Sequence, residues 1–172
     1  MIRTLFPALA ALLAVGCAAE AQEGAAEPKP ALELTGRVVD AASILSPDFE
    51  QRLTARLAEL EKDTLVQLVV ATTPDLEGRK IDAYAFDLGN SRGLGDQERD
   101  DGLLLLVASN ERRVRIEVGR GLEASVRDQD ATAIIQNAIL PHFRSGDFES
   151  GIDAGIEGLV REVTPVPMKE AA

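Results

Sequence analysis

Cysteine and histidine are nearly absent: the 172 residues contain one of each, Cys17 and His142. One cysteine excludes an internal disulfide, and one cysteine with one histidine cannot assemble a structural zinc site, which takes four such ligands. A lone histidine also excludes a two-histidine phosphatase centre, and His142, beside Pro141, reads as structural. Positive charge is scarce as well. There are 18 Lys and Arg against 29 Asp and Glu, giving a formal net charge of -11 and a pI near 4.6. Such a surface disfavours nucleic acid and anionic lipid as partners and permits cations and basic partners, although solubility accounts for it equally well. Long apolar runs are missing too: Leu5 to Val15 is too short to span a bilayer, and no other stretch reaches that length. The chain has no P-loop, no Cys-based phosphatase loop and no internal repeat.

What is present begins with an export signal over residues 1–17. Arg3 supplies the positive charge, Leu5 to Val15 the apolar stretch, and Ala14-Val15-Gly16-Cys17 ends it in small residues. Those four residues resemble the lipobox of bacterial lipoproteins, with Ala14 where Leu is usual. Cys17 is therefore the expected lipidation site, with plain signal cleavage as the alternative. Several acyl chains on one N-terminus would hold the protein durably at a membrane. Ala18 is not the aspartate that retains such proteins in the inner membrane, so the expected location is the outer membrane, facing the periplasm. Residues 18–33, rich in Ala, Glu and Pro, read as a flexible tether. Residues 34–163 have the length of one domain, and residues 164–172, with Pro165 and Pro167, read as a disordered tail.

Within the domain, Ser46 and Pro47 announce a helix as N-cap and first helical residue, with Phe49, Leu53, Leu57 and Leu60 on one face and an end near Lys62. Leu65 to Thr72 is a β-rich run, followed by a loop at Pro74, Asp75 and Gly78 and a short helix through Ile81, Tyr84, Ala85 and Leu88. Leu103 to Ala108 is continuously apolar, as in a strand buried on both faces. Val114, Ile116 and Val118 alternate with Arg113, Arg115 and Glu117, as in a half-exposed strand. Strand, helix, strand implies a parallel pair with a right-handed crossover, and the hairpin adds an antiparallel neighbour. The expected fold is therefore α/β, an αβα sandwich with a mixed, mainly parallel sheet and helices on both faces. Asp128 reads as the cap of a helix that Pro141 interrupts, and a last helix starts near Asp147 with Gly151, Gly155 and Gly158 beside its apolar stripe, suited to close packing on the sheet.

The hairpin carries the candidate site. With Ser109 to Arg112 as the turn and Ala108 facing Arg113, the register counts down to Asp101 opposite Arg120 and Asp100 opposite Gly121. Directly opposed residues have Cβ atoms roughly 5 Å apart, so Asp100, Asp101 and Glu123 are expected to crowd one end of the sheet. Gly102, Gly119 and Gly121 would let the backbone approach a ligand there. These carboxylates are oxygen donors suited to Ca2+ or Mg2+, with Glu98 as a further candidate ligand. The plain alternative is that Asp100 and Asp101 close a turn before Gly102. Asp40 belongs to the same acidic list, but the chain path leaves it near the opposite end of the sheet, where capping or turn chemistry is its expected role. Gly119 to Ala124 fits G-x-G-x-x-A without a helix opening there, so no nucleotide cofactor is expected. Arg113 and Arg115 could grip a phosphate, yet their alternation with Glu117 favours salt bridging.

These blocks together resemble the TPM-domain family. The residues that carry the resemblance are Val39-Asp40 with Leu45-Ser46, Arg92-Gly93-Leu94-Gly95, Asp100-Asp101-Gly102, Arg115-Ile116, Gly119-Arg120-Gly121-Leu122-Glu123 and Pro141-His142-Phe143-Arg144-Ser145-Gly146-Asp147-Phe148. The resemblance implies an αβα sandwich, a bound divalent cation in some members and a weak acid phosphatase activity in some plant members. Arg92 stands where that family usually has Trp, and Asp101 where Asn is common. Two functions follow as expectations. One is a lipid-anchored envelope protein that binds a divalent cation and engages an envelope or membrane protein as an interaction or assembly factor. The alternative is a weak metal-dependent acid phosphatase in which a metal-bound water attacks the ester, with no catalytic residue assigned.

Overall fold

The computed structural model describes residues 32–91 and 93–164. The export signal, Cys17, nearly all of the tether, Arg92 and all but the first residue of the tail lie outside the described residues. Four strands form one sheet in the order β1 (Val38–Asp40), β2 (Gln67–Thr73), β3 (Gly102–Ala108) and β4 (Arg113–Val118). β1 and β2 pair in parallel, as do β2 and β3, and β3 and β4 close the antiparallel hairpin. β3 is buried at every position because it is central and covered on both faces.

The two faces follow from alternation along the strands. Leu103, Leu105 and Val107 point to one side with Leu68, Val70 and Ile116, where α1 (Pro47–Thr64), α3 (Asp128–Ile134) and α5 (Phe148–Val163) cover them. Leu104, Leu106 and Ala108 point to the other with Val69 and Ala71, under Ile81, Tyr84, Ala85 and Leu88 of α2 (Ile81–Ser91). Each fully buried aliphatic side chain contributes about 1.5–3 kcal/mol, so this double-sided core dominates stability.

Local signals set the helix ends. The Ser46 side chain accepts the Phe49 N–H at 3.3 Å, Pro47 opens α1, and Leu65 ends it in the left-handed conformation at φ 65°. That cap displaces the start of β2 to Gln67, two residues after the apolar run begins. Asp128 is the first residue of α3 rather than its cap. Arg127 occupies the cap position, and its N–H donates to Asp130 Oδ2 at 3.2 Å.

Pro141 does not interrupt the helix it sits in. Residues Ile135–Ile139 widen into a π turn in which the Leu140 N–H reaches back to the Ile135 carbonyl, and α4 (Leu140–Arg144) continues beyond it. A proline near the start of that new segment lacks only a donor that would otherwise go unused. The three glycines of α5 pack chiefly on this π-widened helix, not on the sheet. A Cβ on Gly151 would meet the Phe143 ring at 2.5 Å, one on Gly155 the Ile139 side chain at 2.7 Å, and one on Gly158 the Ile134 side chain at 2.9 Å.

Candidate functional site

The hairpin register is the one that counting from the turn gives, Ala108 opposite Arg113 and Leu103 opposite Val118. It persists beyond the strands: the Gly119 N–H donates to the Gly102 carbonyl at 2.8 Å and the Gly121 N–H to the Asp100 carbonyl at 3.0 Å. Glycine is required here because backbones nearly touch. A Cβ on Gly119 would strike the Asp100 carbonyl, one on Gly121 the Arg99 carbonyl, and one on Gly102 the Leu94 carbonyl at 2.5 Å. The room that Gly102, Gly119 and Gly121 create is thus filled by the protein's own chain.

The two aspartates of the Asp100-Asp101 pair take different roles. Asp100 adopts φ 53°, which breaks the strand alternation and turns its neighbour inward. Asp101, 7% exposed, accepts the Asp96 N–H on Oδ1 at 2.8 Å and the Arg99 Nε–H on Oδ2 at 2.5 Å. Its carboxylate is a staple for the loop of residues 96–101. Asp96 repeats the device on the outside: Oδ1 accepts the Glu98 N–H at 3.0 Å and the Arg99 N–H at 3.1 Å. Those donors, Arg99 first and Glu98 second, hold the Asp96 carboxyl below its usual range, and the Asp101 hydrogen bond raises Arg99. Asp100 keeps its side chain at the surface, where Oδ2 accepts from Arg120 Nε at 3.1 Å.

Asp100 and Glu123 line one cleft of about 690 Å³, together with Asp96, Glu117 and the exposed ring of Phe86. The glycine loop Gly93-Leu94-Gly95 forms its wall, held by the Gly95 N–H donating to Gln67 Oε1 at 2.6 Å. Asp101 and Glu98 do not line this cleft. Among the described residues, no three His, Cys, Asp or Glu side chains gather closely enough to hold a metal ion. Of the carboxylates that the sequence pointed to at this end, Asp100 and Glu123 share the cleft, with Asp96 and Glu117 beside them, and Asp101 and Glu98 do not.

Asp40 lies at the other end of the sheet: it pairs with Thr72, which pairs with Val107, whereas Gly102 pairs with Gln67. Its Oδ1 accepts from the Thr72 hydroxyl and from the Ile44 N–H at 3.2 Å, and its Oδ2 accepts the Leu45 N–H at 2.9 Å. This locks the loop into α1. Arg115 is paired with Glu117 at 3.0 Å and with Asp82 of α2 at 3.3 Å. The segment after β4 makes a single 3-10 turn over Arg120–Leu122, and α3 begins only at Asp128.

Two features of the site carried no sequence signal, the inward turn of Asp101 and the capture of Gly95 by Gln67, and a third, Phe86 at the rim, carried one that sequence reasoning missed. The exposure of Phe86 follows from the apolar spacing of α2, since it falls off the Ile81, Tyr84, Ala85, Leu88 face.

The sheet order, the double-sided core and the glycine-locked hairpin end define an α/β sandwich, and the TPM domain model matches residues 38–162. The chain belongs to the TPM domain family. Similar solved structures include the N-terminal domain of a protein from P. gingivalis, at 31% identity with TM-score 0.69, covering 74% of this chain and 82% of that one. The N-terminal domain of a Corynebacterium glutamicum protein aligns at 15% identity and TM-score 0.61 over 84% of this chain and 90% of that one. The BA42 protein of Bizionia argentinensis aligns at 22% identity and TM-score 0.61 over 69% and 81%. At those lower identities the likeness is one of fold alone. The comparison with curated proteins gave no match.

Proposed function

We propose that this TPM domain is a binding module of a bacterial envelope, tethered through a lipidated Cys17, that engages a basic surface of an envelope protein with its acidic cleft. One observation carries the reading. Asp96, Asp100, Glu117 and Glu123 line a single cleft of about 690 Å³, with Arg120 as the one cation among its described lining residues and Phe86 offering apolar area at the rim. Carboxylates around an exposed aromatic ring suit a partner with Lys or Arg beside an apolar side chain. Tethering would raise the effective concentration of the domain toward membrane neighbours.

A divalent cation enters this reading as a bridge. Asp100 and Glu123 would supply the carboxylates for Ca2+ or Mg2+, with backbone carbonyls and water completing the shell. Two carboxylates make a loose site, on the order of 10⁻⁴–10⁻³ M for calcium. The hydrolase reading ranks second because the described lining of the cleft offers no Ser, Thr, Cys or His, which leaves its carboxylates as the groups that would serve as base beside a metal-activated water.

Crosslinking in intact envelopes tests the proposal. The wild type should capture a recurrent basic partner that an Asp100→Asn, Glu123→Gln double variant loses, and equal capture by both would refute it. Phosphate release from a generic ester should be the same for wild type and double variant. A drop confined to the variant would revive the hydrolase.

A further inference from the structure

At the opposite end of the sheet a second cleft, of about 610 Å³, opens beside the hairpin turn. Its lining reverses the sign of the first: Arg112, Arg113 and Arg144 line it, and no carboxylate does. Leu140, Phe143 and Phe148 give it an apolar floor, with the two rings packed edge to face at 5.0 Å between centroids. In a chain of net charge -11, three arginines converging without an acidic partner call for a cause. Most other arginines are spent: Arg79 holds Asp87 and Arg52 lies over the Phe49 ring, though Arg161 makes no side-chain hydrogen bond or ion pair among the described residues. Arg37, Arg56, Arg99, Arg115, Arg120 and Arg127 each hold a carboxylate, whereas Arg112, Arg113 and Arg144 make no side-chain hydrogen bond or ion pair among the described residues. The nearest acids in sequence are engaged elsewhere: Glu111 Oε1 accepts the Leu76 N–H at 2.9 Å, and Asp147 Oδ1 accepts the Ser150 N–H at 3.0 Å as the cap of α5.

Position agrees with chemistry. The cleft sits past the C-terminal end of β3, the end at which open α/β sheets usually bind ligands. The exposed guanidinium groups rule out tight capture of a small anion by charge alone, because exposed ion pairs are individually weak and screened by salt. Affinity here has to come from several such pairs acting around one buried apolar anchor, with Arg stacking on aromatic faces.

We propose that this cleft docks an extended protein segment that carries two or more carboxylates around a large apolar side chain. The site is separate from the acidic cleft and stands without the reading given to it. Together the two would let one small domain bridge a basic surface and an acidic one.

Random heptapeptides displayed on phage and selected on the immobilised full-length protein provide the test. The selected peptides should share at least two Asp or Glu flanking an aromatic or large aliphatic residue. Synthetic versions should bind the triple variant Arg112→Gln, Arg113→Gln, Arg144→Gln at least tenfold more weakly, while the Asp100→Asn, Glu123→Gln variant binds them as the wild type does. An unchanged melting curve for the triple variant separates lost binding from lost fold, since all three arginines are exposed. Selection of no shared motif, equal binding by the triple variant, or full competition by millimolar inorganic phosphate would each overturn the docking site.

Discussion

The two ends of the sheet differ in what becomes of their cations. At the end where β3 begins, charged groups are consumed in building the loop: Asp101 holds Asp96 and Arg99, Asp96 holds Glu98 and Arg99, and Arg120 reaches Asp100. At the hairpin-turn end carboxylates also hold loops, Asp40 at the entry to α1 and Glu111 at Leu76, but three arginines around the apolar rings of the cleft remain unspent. An acidic residue in these glycine-rich loops counts toward a ligand only through the oxygens left over from such bonds, as on Asp100 and Glu123 at the cleft. Three unpaired arginines converging on one cleft in an acidic protein are stronger evidence, because carboxylates are plentiful and none has taken them.

The comparison can be broken most sharply at the glycines. Gly121→Ala places a Cβ against the Arg99 carbonyl, and the backbone on both sides is fixed by hydrogen bonds. It should cost about 3 kcal/mol in urea denaturation, near the upper end for overpacking. Gly146→Ala, at the other end, meets nothing within 4 Å and bears only its φ of 80°, so about 1 kcal/mol is expected. Equal costs would mean that the two ends are equally rigid.

Asp101→Ala comes next. It strips the Asp96 N–H and Arg99 Nε–H of their acceptor in a buried setting and should destabilise by about 2 kcal/mol, the range for an orphaned donor. The same substitution at Glu123, which is exposed, should stay within about 0.5 kcal/mol.

Acid should act on the loop end through Asp96. Its folded-state carboxyl lies below the ordinary 3.8, so its contribution is complete above that value and is lost as pH falls through the depressed folded value. Asp96→Asn should lower stability in the neutral region, where the wild-type contribution is complete, and flatten the acid limb below pH 3.8 as that difference disappears. The smallest effect belongs to the triple arginine variant, whose denaturation midpoint should match the wild type within error even as peptide binding falls.

How much of this was legible depended on whether a period was running. Alternation through Val114, Ile116 and Val118 against the run from Leu103 to Ala108 gave both faces and the register, because a strand's side chains repeat every two residues. That logic stops where the period stops. Asp100 at φ 53° rotates the chain, so no pattern could say that Asp101 faces inward while Asp100 faces the cleft. β1 spans only Val38–Asp40, too short for a period to show. Asp40 was legible as a residue at the far end with turn chemistry, but its Thr72 partner is 32 positions away and leaves no local trace. Pro141 gave a correct warning with the wrong consequence, since a π turn upstream absorbed it. The arginine cleft needed Arg112 and Arg113 from the turn beside Arg144 from α4, a meeting only the packed fold creates.

One titration bears most directly on the two opposed ends. Uniformly 15N-labelled full-length protein would receive calcium and then a selected acidic peptide while amide shifts are recorded. Calcium should move amides of Asp96 to Asp101 and Gly119 to Glu123, and the peptide should move Ser109 to Arg113 and Leu140 to Phe148, with no shared set. Shifts from both ligands falling on the same residues, or calcium acting at the hairpin turn, would contradict the account.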